Sequence, residues 1–167
     1  MAKSKRAISA REAADRYVDT VSRQVAARWP DLSQRVATAY PAPLDHTVGL
    51  IEATLAAAGL GMREIHGAVP PEIESRLRQA VASSLRSRFE HEAAWEIGES
   101  YEELWRNTGD PRAIGMGFVM RAVGHDPGDG GGGQPLVHFT VEKILGGAIV
   151  EAALGAWSEI LAERHVE

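Results

Sequence analysis

Glutamate and histidine are the side chains through which this chain could hold a metal ion or move a proton, and their spacing draws attention to one stretch. In RFEHEAAWEIGESYEELWR, residues 88–106, Glu92, Glu96, Glu99 and Glu103 recur at steps of four, three and four. On a continuous helix that spacing makes a single carboxylate stripe. Hard divalent cations take such oxygen ligands, and inward carboxylates in a bundle are how di-metal sites are built. Those bundles also need Glu-x-x-His on two helices, and no Glu-x-x-His occurs in the sequence. The competing reading is a solvated acidic face, with Arg88 near Glu92 and Glu102 near Arg106 as helical ion pairs.

Six histidines, His46, His66, His91, His125, His138 and His165, are the remaining candidates for acid or base work, and two have informative neighbours. His138 precedes Glu142 by four residues, so both can face one way on a helix and share a proton or a metal ion. His91 stands between Glu90 and Glu92. The candidate ligand or metal cluster is therefore His91, Glu92, Glu96, His138 and Glu142, set against the plainer reading of each histidine as a surface or core residue. Nucleophile motifs are missing: there is no Gly-x-Ser-x-Gly, no cysteine, and Ser83-Ser84 falls within an expected helix. The glycine run from Gly128 to Gly133 lacks the preceding strand and the GK[ST] ending of a phosphate loop, and reads as a linker or lid. Trp29, Trp95, Trp105 and Trp157 lie on or beside apolar helix stripes and read as core. No catalytic residue is assigned, and nothing in the sequence requires a cofactor.

Helices must position all of these residues. A capping box of Ser9 and Glu12 opens the first, over residues 10–28, with Ala14, Val18, Val21, Val25 and Trp29 on its stripe and Pro30 as its stop. Asp31 or Ser33 caps a short second helix, closed by the segment from Pro41 to Pro43. Asp45 caps a third, with Val48, Ile51 and Leu55 buried and Gly59 and Gly61 as stops. Pro70-Pro71 leads into a long helix over 71–97 carrying Ile73, Leu77, Val81, Leu85 and Phe89. A break or kink near Gly98 and a capping box of Ser100 and Glu103 then give a short helix to about residue 106, with continuity through Gly98 as the alternative. Gly109 stops it, Asp110 and Pro111 start an apolar helix to about 123, and a last helix runs from 136 or 137 to 163. Residues 1–8 read as a disordered basic tail, and residues 124–135, GHDPGDGGGGQP, as a flexible loop. Strand signals are weak, so the expectation is an all-α, single-domain bundle of six or seven helices over residues 1–167, centred on 71–97, 111–123 and 136–163.

Composition narrows the function classes. A chain of 167 residues is one domain's length, and the absence of cysteine excludes disulfides, a thiolate nucleophile and sulfur-ligated metals. The first residues are basic with no apolar stretch behind them, and no run approaches about 18 consecutive uncharged apolar residues. The expectation is a cytoplasmic protein with no membrane span. Residues 1–40 carry eight Lys or Arg against four acids, whereas residues 41–167 carry ten against nineteen. An acidic body argues against nucleic acid as a partner. Fifteen of the eighteen basic residues are Arg, whose planar fork suits fixed carboxylate pairing. Along the last helix Ala148, Ala152 and Ala156 repeat every four residues beside Gly147 and Gly155, a surface that lets another helix approach closely. Two functions stay open. One is a self-associating or accessory subunit whose interface is that small-residue face, with itself or another protein subunit as partner. The other is a small-molecule or metal-binding helical protein, or an enzyme, using the His and Glu residues above.

Overall fold

Capping side chains open three of the helices. In the computed structural model, which describes residues 6–40, 42–124 and 136–167, the Ser9 side chain accepts from the Glu12 backbone N–H at 3.1 Å and opens α1 (Ala10–Ala39). Asp45 accepts from the N–H groups of Thr47 and Val48 and opens α2 (His46–Gly61), which tightens into a 3-10 turn (Met62–Ile65). Pro71 takes the first position of α3 (Pro71–Phe89), and Asp110 with Pro111 opens α5 (Pro111–Phe118). Between them lies α4 (Ala94–Thr108), closed by Gly109 at φ 61. A π-helical turn (Val119–Val123) extends α5, and α6 (Leu136–Ala153) and α7 (Ala156–Glu163) complete an all-α bundle.

Four expected boundaries differ. α1 runs straight through Pro30, because the stripe of Tyr17, Val18, Val21 and Val25 continues without a phase change into Trp29, Leu32 and Val36, all buried. Packing along the whole stripe outweighs the one hydrogen bond that Pro30 cannot donate. The break expected at Gly98 falls earlier, at Glu90, which caps α3 in the left-handed region at φ 50. Gly98 instead lies inside α4 where the helix crosses α2: a side chain on Gly59 would collide with the Gly98 backbone. Ser100 forms no capping box; its hydroxyl donates to the Ile97 carbonyl. The last helix is interrupted at Gly155, at φ 85, whose N–H donates to Glu64 Oε1 at 2.5 Å.

Two further corrections concern burial and the tail. Within α2, Val48 is half exposed and Gly59 stays helical, because α1, α4 and α6 surround the helix from Glu52 to Gly61, whereas Gly61 is its last α-helical residue as expected. Of the expected tail, Arg6–Ile8 forms strand β1, paired in parallel with β2 (Arg164–Val166) in the register Arg6 to Arg164, Ala7 to His165 and Ile8 to Val166. Residues 1–5 and 125–135, and with them most of the glycine loop, lie outside the described residues. α5 packs along α6 at very close range, since a side chain on Gly115 or Gly146 would collide with the carbonyls of Glu142 and Pro111 respectively.

Candidate functional site

The five candidate ligands fall into two groups on different elements. His91 and Glu92 sit exposed in the turn between α3 and α4, where the His91 Nδ1 accepts from the Ala93 N–H at 3.2 Å. Glu96, one turn into α4, is exposed and pairs with Arg86 at 2.7 Å. Glu99 and Glu103 are exposed as well, so the carboxylate stripe is a solvated face. Arg88 pairs with Asp19 of α1 and not with Glu92, whereas Arg106 does approach Glu102, at 3.6 Å.

His138 and Glu142 come together near the start of α6, through residues that spacing alone did not indicate. Glu142 is fully buried and accepts from the Tyr40 hydroxyl at 3.2 Å and from Arg112 Nε at 3.0 Å. His138 stacks on the Tyr40 ring with centroids 4.4 Å apart, and its Nε2 lies 2.8 Å from the Ala39 carbonyl, which calls for the proton on Nε2. Burial, reinforced by the Glu142 charge and hydrogen bond, pushes the Tyr40 phenol up and keeps it a donor. The Arg112 guanidinium covers the Phe139 ring at 4.5 Å. Chemically this is a neutralised carboxylate that ties α1, α5 and α6 together. Among the described residues no group of three or more His, Asp or Glu side chains is placed to hold a metal ion.

A second buried carboxylate went unnoticed in the sequence. Glu52 of α2 accepts from the Tyr101 hydroxyl at 2.6 Å, and Arg121, carried on the π-helical turn, reaches within 3.8 Å of it. Burial raises the Glu52 carboxyl above its ordinary range, opposed by the Tyr101 hydrogen bond and by the charges of Arg121 and His91. The only sequence signal for either cluster is the dominance of Arg among the cations, because each partner comes from a distant element.

The small-residue seam divides between core and surface. Ala152 and Ala156 are buried, at 1% and 0% exposure, inside this chain's own bundle, and Ala148 is half-buried against the core. Gly147 and Gly155 have open space where a side chain would stand. The outward stripe of α6 is therefore Leu136, Thr140, Lys143, Ile144, Gly147 and Glu151, continued by Leu154 just beyond the helix end. Leu136, Ile144 and Leu154 are 78%, 38% and 50% exposed, with half-exposed Val137 and Phe139 in the first turn of the same helix. By length and composition the segment Leu136–Glu163 is also apolar enough to cross a membrane; in the fold 44% of its most apolar window is buried. Comparison with known proteins finds no matching family model, no matching curated protein and no matching solved structure.

Proposed function

We propose that the chain is an assembly subunit that pairs with a second copy of itself through the outward stripe of α6. The observation that carries the reading is that this stripe is self-complementary about Gly147. Lys143 and Glu151 stand four residues to either side of it, both exposed, and Thr140 and Leu154 stand seven to either side. A two-fold axis at Gly147 relating two antiparallel α6 helices sets Lys143 of each copy against Glu151 of the other. The same axis brings glycine against glycine at the crossing point, where a missing Cβ permits close helix approach. Three large apolar side chains, Leu136, Ile144 and Leu154, leave water in each copy. One helix pair is a small interface, so the association is concentration-dependent.

Charge reversal tests the geometry. Light scattering or sedimentation of the wild-type chain is expected to show a monomer–dimer equilibrium. Lys143→Glu sets two acids against each other at both ends of the interface and is expected to weaken dimerisation at least about tenfold. Lys143→Glu combined with Glu151→Lys is expected to restore it. A wild-type chain that stays monomeric at millimolar concentration, or a double variant no better than the single one, overturns the proposal. Sedimentation of the wild-type chain with phospholipid vesicles would instead assign the apolar stripe to a membrane surface.

A further inference from the structure

A cationic cavity lies between the 3-10 turn, α3 and α4, lined by no residue of α6. It has a volume of about 490 Å³ and is lined by Arg63, His66, Arg78, Glu102, Trp105 and Arg106, with Gly109 at its edge. Three guanidiniums in one hollow are unexpected in a chain of net charge −5. Their states differ. Arg78 is saturated by carboxylates: it forks onto Glu102 with bonds of 2.9 and 3.0 Å and gives its Nε to Glu74 at 3.1 Å. Glu102 is buried at 5% exposure, so this pair is a fixed back wall.

Arg63 and Arg106 keep donors to spare. The Arg63 guanidinium lies over the Trp105 ring at 4.9 Å, and among the described residues it has no carboxylate partner. Stacking holds its plane while leaving its N–H edge open. Arg106 stands 3.6 Å from Glu102, beyond a normal hydrogen bond, with a side chain 69% exposed; both oxygens of Glu102 already accept from Arg78. His66 completes the rim, its side chain 81% exposed and its Nδ1 3.4 Å from Glu74. Counting three arginines against Glu102 and Glu74, the cavity holds a formal surplus of positive charge even with His66 neutral.

We infer that this cavity binds a small phosphate monoester, its oxyanion gripped between Arg63 and Arg106 and the rest of the molecule lying against Trp105. Two guanidiniums with N–H groups to spare in one cavity suit a tetrahedral dianion, and charge-assisted hydrogen bonds of this kind are the strong ones. The cavity is large enough for a phosphate with a ring attached and falls in the size range of ordinary small-molecule sites. This inference is independent of dimerisation, since none of its residues lies on α6.

Phenyl phosphate serves as the probe, titrated calorimetrically into the full chain, with inorganic phosphate and benzoate as comparisons. Phenyl phosphate is expected to bind more tightly than either. Arg63→Gln and Arg106→Gln are each expected to weaken it about tenfold, the loss of one hydrogen bond to a charged group. Arg11→Gln, in the groove between α1 and α3, is expected to leave binding unchanged. On the wild-type protein, the Trp105 indole and the Arg63 and Arg106 Nε resonances are expected to shift on titration while those of Arg11 do not, a readout that needs no variant. No saturable heat at millimolar phenyl phosphate, or equal weakening by Arg11→Gln and Arg106→Gln, overturns the inference.

Discussion

Two buried glutamates show how the same side chain is handled in opposite ways. Glu142 has an arginine within hydrogen-bond reach, and Arg112 in turn is only 28% exposed. Removing the carboxylate leaves a half-buried guanidinium without that partner, so Glu142→Leu is expected to destabilise the chain by about 3 kcal/mol in denaturant melts, the lower end for a broken buried pair. Glu52 has its arginine farther away, and burial dominates its titration. The folded chain therefore holds the Glu52 proton more tightly than the unfolded chain does. The stabilisation that follows is complete below the ordinary carboxylate range and is lost as the pH rises through the raised folded value. Glu52→Gln keeps an acceptor for Tyr101 and removes the charge. Its melting temperature is expected to exceed that of the wild type at pH 7, and the two curves to converge below about pH 4. A Glu52→Gln variant that melts lower at both pH values would assign the larger role to Arg121.

At the scale of elements, neighbouring glycines in α6 carry opposite expectations. Gly146→Ala drives a methyl into the Pro111 carbonyl and is expected to cost about 3 kcal/mol of stability. Gly147→Ala meets nothing within 4 Å and gains helix propensity, so the monomer is expected to gain roughly 0.5–1 kcal/mol. Pro30→Ala supplies a donor missing from the interior of α1 and is expected to stabilise the chain by about 2 kcal/mol, less than the full helix-interior penalty because proline also restricts the unfolded chain. Caps were legible because Ser9, Asp45, Asp110 and Gly109 act on N–H and C=O groups within a few residues. Breaks were not. Pro30 and Gly98 are local breakers overruled by packing on distant helices, while Glu90 takes a positive φ with no local advertisement. The same distinction governs the candidate site: the four-residue step from His138 to Glu142 could be read directly, but Tyr40 lies 102 residues from its partner Glu142 and leaves no trace in spacing.

For the whole molecule, the bundle is held by close backbone crossings at Gly59 with Gly98 and at Gly115 with Gly146, which together pin α2 to α4 and α5 to α6. Rigid crossings of this kind leave the outward stripe of α6 a fixed surface, as a two-fold contact requires. A further long-range tie is the β1–β2 pair, joining Arg6–Ile8 to Arg164–Val166 in parallel. Because the strands are parallel, tension applied to the chain before β1 and after β2 pulls them along their lengths in opposite directions. All of their hydrogen bonds then bear load at once, as in a lap joint, and do not open one after another as in a zipper. Single-molecule stretching between residues 2 and 167 is therefore expected to show an initial force peak for this pair ahead of the helices. Ile8→Pro, which removes the ladder donor of the residue whose carbonyl accepts from the Glu167 N–H, is expected to lower that first peak and leave the later extension unchanged.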